Sequence, residues 1–278
     1  MKLFASAWES ENNMIRLYVS DVDGTLIQNY AEKIPEELFS LVDRLYEKNI
    51  YFAVATGRQW ENAADLFAPV ADKIYYLGEN GCKTVFQGKL LDISILDTGR
   101  ERELMDDIFH EPDAELWVNG ETESYAITRN SAFIRELVED ENAVFKELKD
   151  PAELSERLTK IGLLDFHRET VREELLNRYR EKYADTFQIM TAGHGWLDFI
   201  KKDAGKGEAV RKLMKHLLLS PEEVAVFGDN ENDVSMFGCT PHSYAMENSA
   251  DHVKRQAGHV TSDVVRSISL LSGEGIFS

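Results

Sequence analysis

The sequence predicts an α/β protein: a doubly wound, parallel-sheet core with an α+β segment inserted into it. Three observations carry that prediction. Three short apolar stretches each run directly into a polar, glycine-containing turn, and an amphipathic helix joins the first two. Between the second and third, the chain changes from strand–helix alternation to hairpins mixed with helices.

The apolar stretches are Ile15–Ser20 leading into Asp21–Thr25, Ile50–Ala55 leading into Thr56–Arg58, and Val224–Phe227 leading into Gly228–Asp233. Short, nearly continuous apolar strands suit a parallel sheet covered on both faces. Between the first two, Leu38, Leu41, Val42 and Leu45 fall at helical spacing behind Pro35, which starts a helix without losing a needed N–H. In such sheets the ligand sits beyond the carboxyl ends of the strands, where all three turns lie.

In the middle of the chain, Val85–Leu91 reads as one hairpin and Leu116–Thr128 as a second, turned at Asn119-Gly120. Helices near 131–140 and 168–183 are expected to flank a strand at Ile161–Phe166. A last hairpin pairs Phe187–Met190 with Trp196–Ile200 around Ala192–Gly195. The division that follows is a discontinuous core of residues 1–85 and 196–278 and an α+β insert of residues 86–195. The acidic stretch Glu101–Glu115 reads as an exposed helix face and loop.

Composition narrows the function. Of 278 residues, 50 are acidic and 31 are Lys or Arg, a formal net charge of −19 that repels phosphate backbones and anionic lipid. Neither nucleic acid nor a membrane is therefore an expected partner. Two cysteines, Cys82 and Cys239, make neither a disulfide framework nor a four-thiolate metal site. No apolar run approaches the ~20 residues of a membrane span. Met1–Asn13 turns acidic too early for a signal peptide, so a soluble, cytoplasmic protein is expected.

The chemistry concentrates in the turns. Asp21 and Asp23 stand two residues apart directly after a buried strand, where unpaired carboxylates cost several kcal/mol. They make sense around a hard divalent cation such as Mg²⁺, which takes oxygen ligands. One carboxylate would then be free to attack phosphorus while the other handles protons. Thr56 and Gly57 offer a hydroxyl and an amide to a phosphate oxygen, with helix capping as the plainer role for Thr56. Lys206, between glycines at a helix start, opposes the helix dipole and so suits a bound anion, a solvated surface lysine being the alternative. Asp229 and Asp233, four residues apart, lie on one side of the third turn and fit a shared cation. Asn232 beside them fits either a phosphate donor or a cap.

Asp21-x-Asp23-Gly-Thr25, Thr56-Gly-Arg58, Lys206 and Gly228-Asp229-x-x-Asn232-Asp233 together resemble the haloacid-dehalogenase-like (HAD) phosphatases. The position of the insert, Glu79-Asn-Gly81 and Tyr244–Ala250 resemble the Cof-type branch of that superfamily, with its class IIB cap. The resemblance implies a Mg²⁺-dependent phosphatase of small phosphorylated metabolites, sugar phosphates foremost. It implies Asp21 as nucleophile forming an aspartyl-phosphate and Asp23 as general acid and base. Asp21, the Asp23 carbonyl and Asp229 would hold the metal with support from Asp233; Thr56, Gly57, Lys206 and Asn232 would bind the phosphoryl oxygens. Arg58 and Asn80 stand as candidate substrate contacts. A phosphohexose mutase-like phosphotransferase and a non-catalytic phosphosugar-binding protein are the competing readings. The chain departs from the family in two places: Thr261–Ser267 replaces an Asn-Asp-rich loop, and Met1–Asn13 has no counterpart. Trp117, Tyr125, His167, His194 and Trp196 are candidates to line a pocket in the cap, with a packed or surface position as the plainer role for each.

Overall fold

A computed structural model describes residues 14–28, 33–128, 144–166, 171–191 and 195–274. Its strands fall into two sheets. The first holds eight: β1 (Leu17–Ser20), β2 (Tyr51–Ala55), β3 (Ile74–Gly78), β4 (Lys83–Phe86), β5 (Lys89–Ile93), β12 (Val224–Gly228), β13 (His242–Met246) and β14 (His259–Thr261). Their order is β14-β13-β12-β1-β2-β3-β4-β5, parallel from β14 to β3 and antiparallel for the final hairpin.

Alternation along each strand sends neighbouring residues to opposite faces. Tyr18, Phe52, Val54, Tyr76, Ala225 and Phe227 pack beneath the helices Glu36–Glu47 and Val264–Ser272. Leu17, Val19, Ala53, Leu77, Val224 and Val226 pack against the helix Lys206–Leu217 on the other face. Helices on both faces make the sheet doubly wound, as the sequence predicts. The stripe Leu38, Leu41, Val42 and Leu45 is fully buried, each side chain contributing about 1.5–3 kcal/mol of transfer energy.

The second sheet is built from β6 (Ala114–Gly120), β7 (Ser124–Ile127), β8 (Lys146–Leu148), β9 (Leu158–Asp165), β10 (Phe187–Thr191) and β11 (Trp196–Lys201). Its order is β10-β11-β9-β6-β7-β8, antiparallel except for β7 with β8. One face carries a separate apolar core, in which Leu116, Val118, Ile161, Leu163 and Phe199 pack against the helices Glu101–Phe109 and Glu173–Tyr183. The opposite face carries Trp117 beside Trp196 and Phe145.

Several sequence expectations shift. Strands β4 and β5 form the expected hairpin, yet they extend the first sheet, so residues 86–93 belong with it. β11 pairs with β9 and β10, which puts 196–201 in the second sheet. The β6–β7 turn lies at residues 121–123 and not at Asn119-Gly120: Asn119 pairs with Ser124 inside the ladder. Gly120 serves close approach instead, since a Cβ there would lie 2.2 Å from the Glu156 carboxyl. β3, β8, β13 and β14 go unread in the sequence. The expected helix near 131–140 lies outside the described residues, and the one near 168–183 is described from Glu173. Cys82 and Cys239 are both buried free thiols. Among the described residues no helix is long and apolar enough to cross a membrane.

Candidate active site

The three polar turns belong to β12, β1 and β2, which are neighbours at the centre of the first sheet. The register is level: Ser20 stands opposite Phe227 on one side and Val54 on the other. All three chains therefore leave the sheet at the same height, and the side chains just beyond the edge converge. Asp21 N–H donates to Phe227 O at 3.0 Å, fixing the first residue past the edge.

Asp21 and Lys206 meet there. The Lys206 ammonium donates to Asp21 Oδ1 at 2.6 Å and to Asp233 Oδ1 at 2.7 Å, with all three side chains buried. This rules out the solvated-lysine alternative. Gly205, at φ +129, lets the chain enter the helix with Lys206 as its first residue, pointing back into the site. Burial alone would depress Lys206; Asp21 and Asp233 outweigh it and hold the ammonium above the ordinary lysine range. Burial pushes the Asp21 carboxyl well above the usual carboxylate range, Lys206 pulls it down, and Asp233, Asp229 and Asp23 add to the rise. Asp229 is pushed up to about 6, first by burial and then by Asp233, against the Thr25 hydroxyl and Lys206.

Ligand oxygens of Asp21, Asp229 and Asp233 all lie within 4.8 Å of one another. Asp21 Oδ2 is buried and has no hydrogen-bond partner among the described residues. Asp229 Oδ1 accepts from Thr25 Oγ1 at 2.9 Å. Asp233 Oδ2 accepts the N–H groups of Asp229 and Asn230 at 2.9 and 3.0 Å, so this carboxylate also shapes the turn. An oxygen-only set with an orphaned carboxylate oxygen fits a hard divalent cation, and these three residues could hold it.

Gly24 makes the convergence possible. Its φ is +92°, and a Cβ on it would sit 2.3 Å from Asp229 Oδ2. The turn it opens is closed by Leu26 and Ile27 N–H groups donating to Val22 O at 2.9 and 2.8 Å. Asp23 points away from the cluster and accepts a two-pronged ion pair from Arg58, at 2.7 Å from Nε and 2.6 Å from Nη2.

Thr56 is buried and its hydroxyl accepts from Arg58 N–H at 3.1 Å. The following helix begins at Trp60 with Gln59 in the capping position, so Thr56 does not cap it. Asn232 does not cap either; Asn230 does, and the Asn232 amide donates to Asn80 Oδ1 at 3.1 Å. Asn80 packs over Gly57, whose Cβ position is 3.4 Å from Asn80 Oδ1.

Sequence reading passed over Lys160 and Asp198. Lys160 Nζ, from β9, reaches Gly57 O at 3.3 Å and Asp198 Oδ2 at 3.2 Å; Asn80 Nδ2 donates to the same Asp198 oxygen at 2.6 Å. Both interrupt otherwise apolar strands, in Leu158–Leu164 and Trp196–Ile200, and that interruption was the available signal. His167 and His194 lie outside the described residues.

A family model for haloacid dehalogenase-like hydrolases matches residues 18–266. The Escherichia coli 5-amino-6-(5-phospho-D-ribitylamino)uracil phosphatase YbjI is 24% identical over 243 residues, covering 86% of this chain and 88% of that protein. The structure of SMU.1108c from Streptococcus mutans superposes with a TM-score of 0.81 at 24% identity, covering 92% of this chain and 98% of that one. The HAD subclass IIB sugar phosphatase BT4131 superposes with a TM-score of 0.76 at 19% identity, over 94% and 100% of the two chains. The chain belongs to the haloacid dehalogenase-like hydrolases and is a phosphatase.

Proposed function

We propose that this protein is a Mg²⁺-dependent phosphatase of small phosphorylated metabolites, sugar phosphates foremost, and that it works through an aspartyl-phosphate on Asp21. The observation that carries the reading is the state of the Asp21 carboxylate: Oδ1 is neutralised by Lys206 and Oδ2 is buried without a partner among the described residues.

In this reading Asp21 attacks phosphorus, and the leaving alkoxide takes a proton from the Asp23 carboxyl. Water then attacks the aspartyl-phosphate and gives a proton to the Asp23 carboxylate, which returns Asp21 and releases inorganic phosphate. Asp21 and Asp229, with Asp233 in support and the Asp23 carbonyl as a further ligand, would hold Mg²⁺, and the bound ion would supply charge neutralisation for the transferring phosphoryl group. Lys206, Thr56, Gly57 and Asn232 surround the phosphoryl oxygens with donors fixed before the reaction begins. Arg58 orients the Asp23 carboxylate through their two-pronged pair, and a substrate anion gives that guanidinium another partner. The cap, taken as the second sheet with the helices Glu101–Phe109 and Glu173–Tyr183, covers this edge and selects the leaving group. Sugar phosphates are favoured because YbjI is named as a phosphoribitylaminouracil phosphatase and BT4131 as a sugar phosphatase.

Phosphate release from a panel of sugar phosphates, pyridoxal phosphate and FMN, with Mg²⁺ and with EDTA, tests the reading. Magnesium-dependent release is expected, greatest for the sugar phosphates. Turnover only after adding a hexose bisphosphate would favour a mutase, and a folded protein that releases phosphate from none of these would end the phosphatase reading.

A further inference from the structure

A continuous run of hydrogen bonds leads from the second sheet to the residues that would bind phosphate. Lys160 Nζ donates to Gly57 O and to Asp198 Oδ2, the same oxygen accepts from Asn80 Nδ2, and Asn80 Oδ1 accepts from Asn232 Nδ2. Lys160, Asp198 and Asn80 are buried.

Donor and acceptor chemistry gives this run a direction. A carboxylate only accepts, so Asp198 turns the Asn80 amide with its NH₂ toward the second sheet and its oxygen toward Asn232. That oxygen takes one N–H of Asn232 and fixes the plane of its amide. An ammonium only donates, so Lys160 draws the Gly57 carbonyl toward itself. The trans peptide then sends the Arg58 N–H the opposite way, onto the Thr56 hydroxyl oxygen. Both hydroxyl and amide of the phosphoryl site are thus set from the second sheet.

The turn between them is fastened to the same strand. Asn80 and its neighbour Glu79 adopt left-handed backbone, φ +57 and +55, and Glu79 is unsuited to it. Its carboxylate is held by Lys83 at 3.0 Å and by Thr159 of β9 at 2.6 Å. Asn80 N–H completes the grip by donating to Thr56 O at 2.8 Å.

We propose that Lys160 and Asp198 are positioning residues, through which the seating of the second sheet orients Thr56 and Asn232 for phosphoryl transfer. The inference rests on the phosphatase reading above. A rival role exists for Asp198, because its Oδ1 is buried without a partner among the described residues and would suit a hydroxyl of the leaving group.

The test uses the full chain carrying Asp198→Asn with Lys160→Met, which removes both charges together, and separately Asn80→Gly. kcat and KM are measured on esters with dissimilar leaving groups, and inorganic phosphate is titrated calorimetrically with Mg²⁺ present. A fall in kcat/KM of roughly ten- to a hundredfold is expected, by one factor for every ester, with weaker phosphate binding. Asn80→Gly is expected to cost little once Asn232→Ala is present, because the two act as one unit. A loss that changes from ester to ester assigns Asp198 to the leaving group instead, and unchanged phosphate binding or full additivity of Asn80→Gly with Asn232→Ala overturns the proposal. If the paired variant does not fold, Asn80→Gly decides alone, its backbone already being open to glycine. A wild-type chain inert toward every ester sinks the phosphatase reading, while the phosphate titration still decides on Lys160 and Asp198.

Discussion

Lys206 Nζ lies 2.6 Å from Asp21 Oδ1, and neither side chain has meaningful access to solvent. The same ammonium reaches Asp233 at 2.7 Å, so one buried cation balances two carboxylates with Asp229 close by. Removing it leaves charge that water cannot reach. Lys206→Met is therefore expected to lose about 3–5 kcal/mol in urea unfolding. Millimolar Mg²⁺ should raise the unfolding midpoint of the variant more than that of the wild type, because a cation among the carboxylates replaces part of the missing charge. A variant as stable as wild type without metal would contradict this account of the pair.

Asp21→Asn keeps the shape of the side chain, leaves Lys206 its contact with Asp233, and relieves repulsion from Asp229 and Asp233. Turnover should vanish while unfolding free energy stays within about 1 kcal/mol of wild type or rises. Trapping of phosphate on the protein after acid quenching should vanish with it. Persistent turnover in this variant would end the covalent mechanism.

Arg58 and Asp23 form a two-pronged pair whose side chains are both about a third exposed, 31% and 39%. Solvent screening limits what such a pair gives to stability, so Arg58→Ala should change the unfolding free energy by no more than about 1 kcal/mol. Its effect belongs in kinetics: roughly a hundredfold loss in kcat/KM, as for removal of one fixed donor to a developing charge. Equal losses in stability and turnover would make Arg58 a structural residue.

The parts legible in the sequence were those in which a few neighbouring residues carry the signal. The Asp21–Thr25 turn and the Asp229–Asp233 turn are local patterns after local apolar runs, and the level register of β1 with β2 and β12 brings them together. Contacts made over long sequence distance were not legible. Asp198 meets Asn80 across 118 positions and Lys160 meets Gly57 across 103, with no spacing rule to connect them. β3 was missed although its buried run Ile74–Gly78 leads into the polar turn Glu79–Gly81, as β1, β2 and β12 lead into theirs. The Asn119-Gly120 pair misled because it carries turn chemistry while the glycine answers to the Glu156 side chain.

Two glycines with positive φ separate backbone strain from steric exclusion at the site. Gly99, at φ +76, has open space where a Cβ would go, and Gly24, at φ +92, has the Asp229 carboxylate there at 2.3 Å. Gly99→Ala should cost only the strain of left-handed backbone, about 1 kcal/mol, with activity unchanged. Gly24→Ala pays that strain and must also displace Asp229, which breaks the Thr25 hydrogen bond and opens the carboxylate cluster. Its kcat should fall roughly a hundredfold or more, and the Mg²⁺ concentration for half-maximal activation should rise. The comparison is made by running both variants through the same urea unfolding and Mg²⁺ activation curves. If Gly24→Ala behaved like Gly99→Ala in both, Asp229 would not be held against the Asp21 turn in the way its distances require.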